Sequence, residues 1–329
     1  MSLVSSNRDR IFVIRNKFMK RDCLRINEFS KEELLTLIDR ALELKTLVKT
    51  GECPPLLKGK TLAMIFEKAS TRTRVSFDMA MNHFGGHSLI LDQQSSQLGR
   101  GETVADTARV LSGYVNAIMF RTFSHSSVKE LAKNATVPVI NGLCDSFHPC
   151  QIATDLTTLK EYHADLENMT VSYVGDGNNM THSWMTAAAL LGFTLKIATP
   201  EGYGVDAQIK AELSNASIHY FTDPKEAVAG CDAINTDTWF SMGQEVSDEK
   251  RTAFTPFQVN NDLLKLAKEN ALVLHCLPAH RGEEITDDVM DGPQSVVFTQ
   301  AENRTYAQMA ILEKLILTDE QSQESGVLI

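Results

Sequence analysis

Two kinds of segment take turns along this chain. Short apolar runs of strand length ("TLAMIF" at 61–66, "SLILD", "AIMFRT", "VPVIN", then "VSYVG", "TLKIAT", "IHYFT", "AINTDTW" and "ALVLHCLP") are separated by stretches with helical periodicity. Ser30 and Glu33 form an S-x-x-E capping box ahead of a helix to about Lys49, stopped by Gly51 and Pro54. Further helices are expected ahead of Gly85-Gly86, at 103–115, near 126–134 and from about His148 to Tyr162. Strict alternation implies parallel strands joined by right-handed crossovers, hence α/β sheets layered by helices. The 329 residues exceed the roughly 250–300 at which one core stops growing. Two doubly wound parallel-sheet domains are therefore expected, meeting near residue 150, with a solvated tail beyond Ile316. In such sheets ligands bind at the carboxyl ends of the strands, so the loops there should hold the chemistry.

Composition narrows the function classes. A net charge of −10 disfavours non-specific binding to nucleic acid or an anionic membrane. No apolar run approaches the roughly 18 residues of a membrane span, so a soluble protein is expected. The six cysteines form no C-x-x-C pair, which suits reduced thiols in a cytosol-like compartment. Arg8, Arg10, Arg15, Lys17, Lys20 and Arg21 against Asp9 alone read as a basic surface arm in preference to an organelle transit peptide.

The densest strand-end loop is "FEKASTRTR" (66–74), with three hydroxyls and two arginines in five positions. Ser70 or Thr71 can cap the following helix, whose free N–H groups and positive dipole end then face the loop. Arg72 and Arg74 carry guanidinium forks that match phosphate oxygens, so a phosphate group is the natural guest. Residues two apart face different ways on a helix, so one arginine should touch ligand while the other braces the loop. The bland alternative is a capped helix with surface arginines. No G-x-x-x-x-G-K-[ST] is present, so no nucleotide is implied.

Other strand ends share this character. "SSQLGRGE" (95–102) is a glycine-bearing loop, and Arg121 closes its strand. "HPCQ" (148–151) opens a helix with Pro149 in the first turn, where a missing N–H costs nothing. His148 at that terminus should be held neutral, able to donate to a carbonyl without carrying charge. "VGDGNN" (174–179) is similar to a dinucleotide fingerprint, but Met180 replaces its third glycine, which argues against NAD. Asn178 and Asn179 suit an amino-acid carboxylate. Asp237 in "DTWFSMG" (237–243) can pair with a ligand ammonium, or simply cap the next turn. In "HCLPAHRG" (275–282), Pro278 could follow a cis peptide and Cys276 could be an inert buried thiol. Zinc on His275, Cys276 and His280 is disfavoured by adjacent ligands without a second cluster. No metal and no cofactor is expected.

Taken together, "STRTR", "SSQLGRGE", "HPCQ", "DGNN", "DTWFSMG", "HCLP" and "AENR" stand in the order and spacing of the aspartate and ornithine carbamoyltransferase family, which the chain resembles from about residue 22 to 317. "DTWFSMG" with "HCLP" resembles the ornithine branch, and "HCLPAHRGEE" its biosynthetic, citrulline-forming form. The resemblance implies that Ser70, Thr71, Arg72, Thr73, Arg121, His148 and Gln151 bind carbamoyl phosphate. Gln97 would reach it across a subunit boundary of a homotrimer, or a multiple of trimers. Asn179, Asp237, Ser241 and Met242 would hold ornithine, with Cys276, Leu277 and Arg304 closing the site. Domain 1–150 would take carbamoyl phosphate and domain 151–304 ornithine, the active site lying in the cleft between them. A last helix, about 305–317, would return to the first domain, leaving 318–329 as tail.

The chemistry implied by that resemblance is attack of ornithine's neutral side-chain amine on the carbonyl carbon. Thr73, Arg121 and His148 would stabilise the oxyanion, and the leaving phosphate can take the amine's proton. Asp237 beside the attacking nitrogen would favour the ammonium, so it is assigned to the α-ammonium, with Cys276 nearer the reacting amine. Residues 240–250, around Gly243, read as a mobile lid. Aspartate as acceptor would need basic groups, whereas Asp237 is followed by no lysine or arginine before Lys250. Putrescine or an acylated ornithine would leave buried groups unpaired. Outside the family, the alternatives are a nicotinamide-dependent dehydrogenase and a non-enzymatic anion-binding module.

Overall fold

A computed structural model describes residues 20–92, 98, 101–162, 165–241 and 246–324, with 318–324 as backbone alone. Gln97, Met242, Gly243, most of "SSQLGRGE", the basic arm to Met19 and the end of the tail lie outside the described residues.

The strands β1 (Thr61–Phe66), β2 (His87–Asp92), β3 (Ala117–Arg121) and β4 (Val139–Leu143) pair in parallel in the order β2-β1-β3-β4. A second parallel sheet runs β7-β6-β5-β8-β9, from β5 (Thr170–Val174), β6 (Thr194–Ala198), β7 (Ile218–Phe221), β8 (Ala233–Thr236) and β9 (Leu272–His275). The central strands β1, β3, β5 and β8 are buried at nearly every position. Helices cover both of their faces, which is why they read as unbroken apolar runs.

The connections are α1 (Lys31–Thr50), α2 (Thr71–His83), α3 (Val104–Ser112), α4 (His125–Asn134) and α5 (Pro149–Tyr162) around the first sheet. Around the second sheet lie α6 (Asn179–Leu191), α7 (Ala207–Glu212), α8 (Pro224–Val228), α9 (Asp248–Phe254), α10 (Asn261–Leu264) and α11 (Asp287–Met290), and α12 (Val297–Glu324) follows them. The capping box of α1 forms as its residues dictate. Ser30 Oγ accepts from the Glu33 N–H (3.2 Å), and the Glu33 carboxylate accepts from the Ser30 N–H (2.9 Å). Gly51, at φ 77°, ends that helix in the left-handed conformation.

Helix α12 is longer than the expected 305–317. Its first turns carry buried polar side chains, Gln300, Asn303 and Arg304, which hide the apolar periodicity. Past Leu317 no Gly or Pro intervenes before Gly326, so the chain continues as helix to Glu324 where a tail was expected. α12 packs on α1, α2 and α5, back in the first domain. One core runs through both lobes, joining Leu62 and Met64 of β1 to Val171 of β5 by way of Leu156 and Leu159 of α5 and Ile311 of α12.

In each sheet the strand order changes direction at the centre, between β1 and β3 and between β5 and β8. The loops leaving these four strands form the two switch points where α/β sheets bind ligands.

Candidate active site

The switch points face each other across a cavity of ≈ 750 Å³. The first-domain wall is a cradle of donors. Ser70 caps α2 by accepting from the Thr73 N–H (3.2 Å), so the positive end of the helix points into the cavity. Ser70, Thr71, Arg72 and Thr73 all line it. Arg74 turns away and reaches Asp92 (3.4 Å) on β2, so the two arginines divide as their spacing requires.

Arg121 ends β3 beside Phe66, one strand over from the "STRTR" loop. It is buried, and its Nε has no partner among the described residues. Burial, reinforced by Arg304 and Arg72, brings its pKa down to about 10, so it still carries charge at neutral pH. Arg304, on α12, donates through Nη2 to Thr73 Oγ1 (2.8 Å) and through Nη1 to Gln151 Oε1. It was expected to close the ornithine side; its guanidinium instead lies on the cradle side. Three cations thus converge on one space, which an anion would relieve.

His148 precedes Pro149 at the start of α5, its backbone N–H donating to Ser183 Oγ (2.8 Å) and its Nδ1 unpartnered among the described residues. Its pKa lies well below 6.5. Burial is the first cause, followed by Arg304 and Arg121; the helix terminus, from which neutrality was expected, is not the leading one.

The second-domain wall carries opposite charge. Asp237 follows β8, and its Oδ1 accepts from the Thr238 N–H (2.8 Å) and the Cys276 thiol (3.1 Å). Its Oδ2 accepts from Asn178 Nδ2 (3.2 Å). Asn178 also caps α6, accepting from Met180 and Thr181, so one side chain fixes both the helix and the carboxylate. Burial first, then Asp237, pushes the Cys276 pKa well above 9, which makes the sulfur a thiol at neutral pH. The separation expected between Asp237 and Cys276 narrows here to a single hydrogen bond.

Asn179 reaches across the cleft, donating to the Cys144 carbonyl (2.8 Å). Ser241 and Leu277 also line the cavity. Leu277 has φ 58° and the Leu277–Pro278 peptide is cis. Gly177 is required by close approach: a Cβ there would lie 2.3 Å from the Gly204 carbonyl carbon. The "VGDGNN" turn thus uses its glycine to pack against backbone.

Among the cavity residues that sequence reasoning did not single out are Lys68, His182 and Asp176. Lys68 pairs with Asp145 and lies 4.3 Å over the Phe123 ring. Its signal was adjacency, two residues ahead of "STRTR". His182 bridges the lobes, Nδ1 to the Ser146 carbonyl (3.2 Å) and Nε2 accepting from the Asp206 N–H (3.1 Å). Asp176 accepts from Lys250 Nζ (2.8 Å), whose ammonium sits among Tyr203, Phe240 and Phe254. These bonds need partners distant in sequence, so no local pattern announces them. Asp237, His275 and Cys276 lie close enough to share a cation. Both His275 nitrogens are engaged, however, one by the Leu277 N–H (2.8 Å) and one by Glu284 (2.9 Å).

Known proteins share this arrangement of domains. Residues 21–161 match the carbamoyl-P binding domain of aspartate/ornithine carbamoyltransferases, and residues 167–315 match their Asp/Orn binding domain. The chain belongs to this family. Within the aspartate/ornithine carbamoyltransferases, the anabolic ornithine carbamoyltransferase of Pyrococcus furiosus is 53% identical over 299 residues, covering 89% of this chain and 95% of its own length. The ornithine carbamoyltransferase of Syntrophotalea carbinolica is 49% identical over 301 residues, covering 91% and 100%. The solved Pyrococcus furiosus structure superposes with a TM-score of 0.87 at 52% identity, over 90% of this chain and 97% of that one. The anabolic enzyme of Campylobacter jejuni gives 0.84 at 40% identity, over 90% and 99%.

Proposed function

We propose that this chain is an ornithine carbamoyltransferase, moving the carbamoyl group of carbamoyl phosphate to the side-chain amine of L-ornithine to give L-citrulline and phosphate, in arginine biosynthesis. The observation that carries the reading is the opposition within one cavity of Arg72, Arg121 and Arg304 to the Asp237–Cys276 pair. The family and its named relatives support it.

Arg72, Arg121 and the α2 terminus, with Ser70, Thr71 and Thr73, hold the phosphate, and Gln151 helps to place the carbamoyl group. The neutral amine of ornithine attacks the carbonyl carbon. Thr73, Arg121 and neutral His148 donate to the oxyanion, where removing one such donor costs about 3 kcal/mol of barrier. The intermediate collapses with departure of phosphate, which takes the amine's proton, so no separate base is needed. Asp237, with Asn179 and Ser241, binds the amino-acid end, and Met242 lies on the same segment. The Cys276 thiol, carrying no charge of its own, faces the reacting end with Leu277.

A homotrimer fits the exposed apolar side chains Val75 and Met79 on α2 and Leu89 on β2, an edge strand of its sheet. Gln97 of a neighbour would then complete the site. A cytoplasmic location fits six free thiols, and no described helix is long and apolar enough to cross a membrane. The deciding experiment is a colorimetric citrulline assay with ornithine, aspartate, putrescine and acetylornithine side by side. Carbamoylation of ornithine alone is expected; equal or greater turnover of another acceptor overturns the assignment, and light scattering tests the trimer.

A further inference from the structure

Behind the cavity a continuous run of hydrogen bonds crosses from one lobe to the other. Arg304 joins Thr73 to Gln151, as described. Gln151 Nε2 then donates to Asp155 Oδ1 (2.7 Å), and Gln300 Nε2 donates to the same oxygen (2.6 Å). Gln300 Oε1 accepts the backbone N–H of His275 (2.9 Å) at the end of β9. The His275 ring continues the path, since Nδ1 accepts from the Leu277 N–H and Nε2 therefore carries its proton toward Glu284 Oε1 (2.9 Å). The path ends at Leu277, the one non-glycine residue with positive φ among those described.

Every side chain that makes a bond in this path is more than nine-tenths buried, and Asp155 and Gln300 are fully so. Neither lines the cavity, so neither can act by touching substrate. Each buried amide here is used at both ends and cannot turn over without orphaning a partner. Bonds in series inside a protein also polarise one another. A hydroxyl at Thr73 that donates to a bound anion becomes a better acceptor for Arg304, and the bias passes through Gln151, Asp155 and Gln300 to β9. It reverses at Arg304, which donates to both neighbours, and again at Asp155 Oδ1, which accepts from both glutamines, so the Gln300 bond to His275 N–H strengthens. At its far end sits a backbone conformation that persists only when its surroundings over-determine it.

Resting on the placement of carbamoyl phosphate in the cradle and ornithine at the facing wall, with carbamoyl phosphate bound first as in the family, we propose that Asp155 and Gln300 are the positioning residues that carry the coupling from the cradle to the Cys276–Leu277 wall. The test uses norvaline, which is ornithine without its side-chain amine and cannot react. Its affinity is measured by calorimetry with and without saturating carbamoyl phosphate, on the intact enzyme.

The wild type should bind norvaline about tenfold more tightly with carbamoyl phosphate present, within the usual coupling range of roughly 5–150-fold. In Gln300→Met, which removes both bonds, that ratio should fall to about one or two, while affinity for carbamoyl phosphate alone changes less than about threefold. Gln300→Asn keeps the amide but is too short to span from Asp155 to β9. It should behave alike, and serves if the methionine variant does not fold. A folded variant that keeps the wild-type ratio overturns the proposal, as does one that loses both affinities equally. Failure of the wild type to make citrulline would sink the functional reading, and this inference with it; a coupled, active wild type with uncoupling-resistant variants would sink the relay alone.

Discussion

On the first-domain wall Arg121 and Arg304 are buried on β3 and α12 and converge with Arg72, whereas on the second-domain wall Asp237, Ser241 and Leu277 sit where chain leaves β8 and β9. The first wall gathers three guanidinium groups and leaves donors such as Arg121 Nε open among the described residues. The second spends its charge internally, Asp237 being bonded to a thiol, an amide and a backbone N–H. A site of the first kind is prepared for a doubly charged ester before it arrives. A site of the second kind needs a ligand ammonium to compete for a carboxylate already engaged.

The largest effect should come from the cradle. Arg72→Ala is expected to lower kcat/KM for carbamoyl phosphate by about 10³-fold, as for loss of one charged transition-state contact, while ornithine KM moves less than about threefold. Equal losses for both substrates would erase the distinction between the walls. Asp237→Asn should do the converse, raising ornithine KM about 10²-fold with carbamoyl phosphate affinity unchanged. It also removes a charge that pushes the Cys276 pKa up, so alkylation by iodoacetamide near pH 8 should quicken several-fold. An unchanged alkylation rate would show that Asp237 does not govern the thiol.

A pH experiment sharpens the same contrast. His148 is neutral in the fold, its pKa well below 6.5, whereas an unfolded chain takes up that proton near pH 6.5. Its contribution to stability is therefore present above that pH and is lost as the solution is acidified below it. Urea titrations from about pH 5 to 8 should show the wild type losing stability more steeply on the acid side than His148→Asn. Parallel curves would exclude a buried neutral imidazole. The smallest effect should be Arg74→Ala, because its exposed contact with Asp92 is worth less than about 1 kcal/mol. Activity within about threefold of wild type would set Arg74 apart from Arg72, and a defect as large as that of Arg72→Ala would join them.

Much of this was legible beforehand. The strands of both sheets, the capped α2 and the different directions of Arg72 and Arg74 follow from apolar runs and helical spacing, which are local properties. The cradle residues are legible because short motifs carry them. Arg304 on the cradle, the Asp237–Cys276 hydrogen bond and the Lys250–Asp176 pair were not legible. Each depends on packing between elements tens to hundreds of residues apart, and for these burial sets the energetics. The early start of α12 was hidden for a related reason, since Gln300, Asn303 and Arg304 look like solvent-facing residues until their interior partners are known.

The return of α12 bears on how the molecule is assembled. Ala307, Ile311, Leu312 and Leu315 are buried in the core shared with α1 and α5. A ribosome therefore emits the amino-terminal lobe with a gap that only a helix made after all the strands of the second sheet can fill. Fragments cut near residue 296 would keep β1 to β9 and still lack a wall of the earlier lobe, so the half made first waits on a helix encoded after the other half's strands.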